Sequence, residues 1–278
     1  MFRKEDALVL RKFATQIRIE TIRQLAARGF GHVGGSMSIV EALAALYGYA
    51  MKIDPSNPKW EERDWFVCSK GHAGPAVYST LALKGFFPLE WLATLNRVGT
   101  NLPSHCDRLR TPGIDMTTGS LGQGISEAVG VAIAHKVDGK SNRIYCIVGD
   151  GECQEGQVWE AVSLAAQQRL SNFVLLVDNN KAQLDGPTSA VNDMESLDEK
   201  LKAFHFSVQR VDGHDVEAIC SALDTAKQET EWPSAIILDT VKGKDCVFAE
   251  GKFNHHITVS AEQAAEAIDW LQKQLQSM

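Results

Sequence analysis

The chain has 278 residues, 44% of them hydrophobic and 23% charged, a balance that supports a large buried core and excludes a disordered chain. Twenty-eight Lys and Arg against 35 Asp and Glu leave a net charge of -7, which argues against nucleic acid as a partner. The amino terminus lacks the apolar run of a signal peptide, and no later stretch is apolar for long enough to span a bilayer. Its six cysteines (Cys68, Cys106, Cys146, Cys153, Cys220, Cys246) include no C-x-x-C pair, so the expectation is a cytoplasmic protein with no membrane contact, disulfide frame or zinc site.

From Glu5 to Arg28, apolar residues at Leu10, Phe13, Ile17 and Leu25 mark one face of a first long helix, and Gly29 follows as its C-cap. Gly29 to Gly35 is expected to be a flexible loop carrying His32. Ser38 and Glu41 have the spacing of a capping box, opening a second helix that buries Ile39, Leu43 and Leu46. Short apolar runs at Trp65 to Cys68, Ile144 to Val148, Phe173 to Val177 and Ala235 to Leu238 then alternate with helical patterns at Ala73 to Lys84, Ile125 to Val137 and Val158 to Arg169. Such runs suit strands covered on both faces. The alternation predicts an α/β fold with a doubly wound, mostly parallel sheet and helices on both faces, whose ligands sit at the carboxyl ends of the strands. A last helix is expected over Glu262 to Leu275. No repeat or linker divides the chain, so residues 1–278 read as a single domain.

The strand at Ile144 runs into Gly149-Asp150-Gly151, and the next strand runs into Asp178-Asn179-Asn180, with Asn180 thirty residues after Asp150. Neighbouring strand ends thus present a carboxylate and an amide oxygen, which suit a hard cation such as magnesium shared with phosphate oxygens. Gly151 lets a diphosphate approach the backbone, and the following helix adds a favourable N-terminal dipole. Either fragment alone also reads as a turn. Together with Glu155-Gly156 and Trp159-Glu160-Ala161, they match the thiamine diphosphate signature, and around them the chain resembles the transketolase family.

Further matches, in the family's order, are Gly31-His32, Ser69-Lys70-Gly71-His72, Pro103-Ser104-His105, Thr117 to Gly124, and Asn254-His255-His256. The resemblance covers essentially the whole chain but only the N-terminal, diphosphate-binding half of an ordinary transketolase. It implies that Asp150, Asn180 and the carbonyl of Ala182 hold Mg2+, for which Ca2+ or Mn2+ can substitute. It further implies that His72, Gly119, Ser120, Leu121, Gly151 and Glu152 line the thiamine diphosphate. His32, His72, His105 and His255 would be catalytic, because ketol transfer moves protons beside sugar hydroxyls near neutral pH, where imidazole titrates. Glu155 is added to that set by the family's coupling between neighbouring sites. His135, His205 and His214 keep a structural reading.

The family's catalytic glutamate belongs to a pyrimidine-binding domain with no counterpart here. The resemblance therefore implies a partner, a C-terminal transketolase subunit, in an α2β2 heterotetramer acting on sugar phosphates. Two departures bear on the substrate: Cys106-Asp107-Arg108 follows His105, and Lys181-Ala182-Gln183 follows Asn180. A branched or sulfonated sugar phosphate fits such departures, with Arg108 either meeting an anion or pairing with Asp107. A subunit of another thiamine diphosphate enzyme (a 2-oxo acid dehydrogenase α chain or a deoxyxylulose phosphate synthase fragment) and a non-catalytic paralogue remain open at this point.

Overall fold

A computed structural model describes residues 2–252 and 255–278. Helix α1 (Lys4–Arg28) ends on Gly29, whose left-handed φ of 88° lets its amide reach back to the carbonyls of Leu25 and Ala26. The expected flexible loop after it is instead ordered. Phe30–Gly31 pairs antiparallel with Ile257–Thr258, and Gly34–Met37 forms a buried helical turn.

Helix α2 (Val40–Ala45) follows without the expected capping box. Ser38 Oγ donates to Asp178 at 2.7 Å, and Glu41 pairs with Arg18 at 2.6 Å. Buried charges without partners cost more than a helix end without a cap, so both side chains serve the interior.

The strands β1 (Trp65–Cys68), β2 (Ile144–Gly149), β3 (Phe173–Asn179), β4 (Ser207–Asp212) and β5 (Ser234–Asp239) form one sheet in the order β1-β2-β3-β5-β4, with every pair parallel. Side chains alternate between its faces. Phe66, Tyr145, Ile147, Val174, Leu176 and Ile236 join the core beneath α1, α2, α3 (Gly74–Leu83), α7 (Val216–Gln228) and α8 (Ala261–Ser277). On the other face, Ile144, Cys146, Val148, Leu175, Val177 and Ile237 pack against α4 (Gln123–Val137), α5 (Gly156–Gln167) and α6 (Leu197–Ala203). This is the predicted doubly wound sandwich.

Strand β4 is absent from the sequence-based expectation because it lies at the sheet edge. Its Ser207-Val-Gln-Arg-Val-Asp212 segment is half-solvated and lacks an apolar run. Helix α7 is likewise additional, opened by Asp215, whose carboxylate accepts from the amides of Glu217 and Ala218. All six cysteines are buried and unpaired. No helix among the described residues is long and apolar enough to cross a membrane.

Candidate thiamine diphosphate site

Four loops leave the carboxyl ends of β1, β2, β3 and β5 and meet above the sheet. Their anchor is Asp178 at the end of β3, which is 0% exposed. Its carboxylate pairs with the equally buried ammonium of Lys70, from the loop after β1. It also accepts from Ser38 Oγ at 2.7 Å, from Asn180 Nδ2 at 2.7 Å and from Thr240 Oγ1 at 2.5 Å. Burial pushes this carboxyl up, but the Lys70 charge and these donors outweigh burial and hold it below the usual carboxylate range.

Asp150, at the end of β2, is also buried. Its Oδ1 accepts from its neighbour's amide, Gly151 N, at 2.8 Å, and its Oδ2 accepts from Lys181 N at 2.5 Å. Burial first, and the nearby Asp178 charge second, push the Asp150 carboxyl up to about 7. The amide of Asn180 is oriented from both sides: its nitrogen donates to Asp178, and its oxygen accepts from Ala182 N at 3.1 Å. The sequence-predicted oxygen donors of Asp150, Asn180 and Ala182 therefore belong to one loop junction, and a carboxylate with two amide oxygens suits a hard divalent cation.

Lys242, from the loop after β5, is an addition to the expected set. Its ammonium donates to the carbonyls of Ala182 and Gln183 at 3.3 and 3.4 Å. Burial, then the Lys70 charge, lower its proton affinity. A cation directly beyond a strand end was the signal available in the sequence. This loop is tied down by His214: Val241 N donates to His214 Nε2 at 2.8 Å, so the ring proton lies on Nδ1, facing Glu41 at 3.1 Å. Arg18 holds Glu41 and also donates to the Lys244 carbonyl at 3.2 Å.

Beside the junction, the histidines converge. His72 lies 4.5 Å from His255 between ring centres, and His32 lies 5.6, 5.5, 5.0 and 4.8 Å from His72, His105, His255 and His256. His255 is half-buried against His72, whereas His256 is exposed and tilts over Phe30 at 5.4 Å. Asn254, named with them in the motif, lies outside the described residues. Burial and the neighbouring positive centres lower His32 to about 3 and His255 to about 4. His72 falls well below its ordinary value for the same reasons, and His105 falls through burial. His32 and His255 are therefore neutral at pH 7, and a neutral imidazole presents one N–H donor and one nitrogen that accepts a hydroxyl hydrogen bond.

Close backbone approach builds this cleft. A Cβ on Gly35 would stand 2.9 Å from His72 Nε2, and one on Gly71 would stand 2.8 Å from Gly119 N. Gly119, with half-buried Leu121 and exposed Ser120, is thereby seated beside Gly71 and His105.

Two predicted residues lie apart from the cleft. The Glu152 carboxylate turns inward, accepting from Ser69 Oγ at 2.5 Å, Gly122 N at 2.9 Å and Gly149 N at 3.1 Å. With its oxygens engaged by these donors, it locks the Gly119 loop to the ends of β1 and β2. Glu155 is exposed at the start of α5.

Of the two readings open for Arg108, the pair with Asp107 is not formed. Asp107 approaches Arg110 at 3.6 Å, while Arg108 lines a separate cleft with Lys59, Arg63 and Arg110.

Residues 9–275 match the family profile described as transketolase, thiamine diphosphate binding domain. The chain is 52% identical over 97% of its length to the 6-deoxy-6-sulfo-D-fructose transketolase subunit SqwG of Clostridium sp. (strain MSTE9), covering 98% of that protein. It is 37% identical over 87% of its length to an apulose-4-phosphate transketolase subunit of Actinobacillus succinogenes, covering 87% of it. The crystal structure of Campylobacter jejuni transketolase superimposes with a TM-score of 0.89 at 32% identity, over 95% of this chain but 43% of that one. The chain thus spans less than half the length of such single-chain transketolases. By its profile match over residues 9–275 and its likeness to these relatives, the chain belongs to the transketolase family, matching the thiamine diphosphate binding domain.

Proposed function

We propose that this chain is the N-terminal subunit of a two-subunit transketolase, transferring a two-carbon ketol unit from a ketose phosphate to an aldose acceptor. The observation that carries this reading is the convergence of His32, His72, His105 and His255 beside the Asp150 and Asn180 junction. A cluster of neutral imidazoles suits a polyhydroxylated substrate and not a 2-oxo acid, whose carboxylate calls for a fixed cation.

In this reading Asp150, Asn180 and the Ala182 carbonyl hold magnesium, while Gly151, His72 and the ammonium of Lys242 face the diphosphate and Gly119 to Leu121 line the cofactor. Thiamine diphosphate held by these residues would supply the carbon nucleophile that ketol transfer requires. The chain's own residues supply the rest: His32, His105 and His255 orient the sugar hydroxyls by hydrogen bonds. Lys70 and Asp178 keep Asn180 in register. Glu155 sits on the exposed side where a partner chain would reach it.

A second polypeptide with the pyrimidine-binding domain completes the centre, in an α2β2 assembly. The relatives named as transketolase subunits, matched over nearly their whole length, support that division. They also support a specialised sugar, since one is named for a sulfonated ketose and the other for a branched one. Residues 1–278 act as one domain in this scheme. A cytoplasmic setting fits its six unpaired cysteines.

The test is ketol transfer with thiamine diphosphate and magnesium, by this chain alone and mixed with the partner chain. Activity in the mixture only is expected. Turnover of a ketose phosphate at an ordinary transketolase rate by the chain alone refutes the split-site reading.

A further inference from the structure

A cleft of about 620 Å³ opens beside Trp65 at the start of β1, between the turn at Lys59 and the loop that runs from His105 to Gly119. That volume falls within the roughly 300–1,000 Å³ of small-molecule sites. Lys59, Arg63, Arg108 and Arg110 line the cleft, and Leu109 and Ile114 add apolar wall. The chain as a whole carries a net charge of -7, so four cations gathered on one cleft create a local field of the opposite sign. The lining holds one carboxylate among the described residues, Asp115, and its oxygens are taken: one pairs with Arg63 Nη2 at 2.5 Å, and the other accepts from Phe66 N at 2.8 Å. Arg63 is held further by the Asp64 carbonyl at 3.0 Å and by the Trp65 ring, 4.6 Å from its guanidinium carbon. Its Nε is buried without a hydrogen-bond partner among the described residues. Lys59 and Arg108 are exposed and pair with no carboxylate among the described residues, and Arg110 only approaches Asp107 at 3.6 Å. Cations that reach a ligand from two separate segments suit a tetrahedral phosphate, whose oxygens point to several sides, better than a planar carboxylate.

We propose that this cleft is a second ligand site, separate from the cofactor and sugar centre, and that it binds a small organic phosphate bearing two or more negative charges. Lys59, Arg108 and Arg110 hold the phosphate oxygens against the fixed wall of Arg63, while Leu109 and Ile114 meet the carbon skeleton. One loop links the cleft to the histidines. Thr118 N donates to the Cys106 carbonyl at 3.0 Å, and Arg108 N donates to Thr117 Oγ1 at 3.1 Å, which closes that loop at its base. A ligand on Arg108 and Arg110 therefore braces the segment that carries His105 at one end and Gly119 at the other. Binding does not depend on the transketolase reading, since none of the lining residues is assigned to that centre.

The experiment is calorimetric titration of the full chain with ADP, with fructose 1,6-bisphosphate and with citrate, at matched free magnesium and with thiamine diphosphate saturating, so that the diphosphate site is already filled. Saturable binding of at least one of the two phosphates, tighter than that of citrate, is expected, and the tighter of the two shows whether a nucleotide or a sugar carries the phosphate. Arg108→Met and Lys59→Met remove exposed charges that no fold contact uses, so both variants should fold. Each is expected to weaken binding at least about tenfold, as loss of a charge-assisted hydrogen bond implies. The bound phosphate should also slow trypsin cleavage after Arg108 and Arg110 in the wild-type chain, a readout confined to this loop. Failure of both phosphates to bind, citrate binding as tightly, or an affinity unchanged in the Lys59→Met/Arg108→Met double variant overturns the inference. So does loss of binding when the pyrimidine-domain chain is added, because the cleft would then be part of the subunit contact. None of these results bears on ketol transfer, which is assayed separately.

Discussion

Replacing Asp178 by Ala removes the carboxylate on which Lys70, Ser38, Asn180 and Thr240 converge. Lys70 is 1% exposed, so the substitution strands a buried ammonium, and breaking such a pair from one side costs about 3–5 kcal/mol. For a 278-residue chain, a loss of that size lowers Tm by roughly 6–10 °C. The Asn180 amide also loses the bond that fixes its nitrogen, so its oxygen is no longer held toward the junction. Differential scanning calorimetry should show the Tm loss, and titration with thiamine diphosphate and magnesium should show at least tenfold weaker binding. The double variant Asp178→Leu/Lys70→Met separates the two effects. Stability should largely return, because no charge is left buried, while cofactor affinity should stay low, because Asn180 remains unheld. If Asp178→Ala lost less than about 1 kcal/mol, or if the double variant recovered affinity together with stability, the assignment of Asp178 as anchor of the site would be wrong.

Gly71→Ala places a Cβ 2.8 Å from the backbone of Thr118 and Gly119, so one of the two loops must move. A cost of about 1–3 kcal/mol and weakened cofactor binding are expected in thermal melts and titration. His214→Gln can still accept from Val241 N, whereas His214→Asn can still donate to Glu41 but leaves that amide unpaired. Gln is therefore expected to retain cofactor affinity and Asn to lose it, with equal losses counting against a role through Lys242. Acid stability is a further check. His32 and His255, lowered from 6.5 to about 3 and about 4, bind fewer protons folded than unfolded. Their contribution is complete above pH 6.5 and is lost progressively as pH falls from there to about 4 and about 3. The Tm of the cofactor-free chain should drop between pH 7 and pH 4.5, and less steeply in His32→Asn; an unchanged slope in that variant would place the acid sensitivity elsewhere.

Much of the site was written in the local sequence. Gly149-Asp150-Gly151 and Asp178-Asn179-Asn180 follow apolar runs that have no choice but to be buried strands, and a strand end is where such turns must lie. The periodicities of α4, α5 and α8 were equally legible, because each buries one face, whereas α1 is buried nearly all round from Ala14 to Leu25 and was marked chiefly by its Gly29 cap.

Tertiary structure decided the rest wherever a side chain answered to a distant charge. Ser38 and Glu41 have the spacing of a capping box, yet Asp178, 140 residues away from Ser38, and Arg18 claimed them, since unpaired buried charge outweighs a cap. His214, which carries no motif of its own, became the clamp on Lys242 because a parallel sheet brings the ends of β4 and β5 together. Edge strand β4 was illegible because half its surface meets water. The sequence by itself determined the strand-end chemistry, through local spacing and burial pattern. Only the packed chain decided which charges meet, because electrostatic partners are chosen by proximity in space and carry no periodicity along the chain.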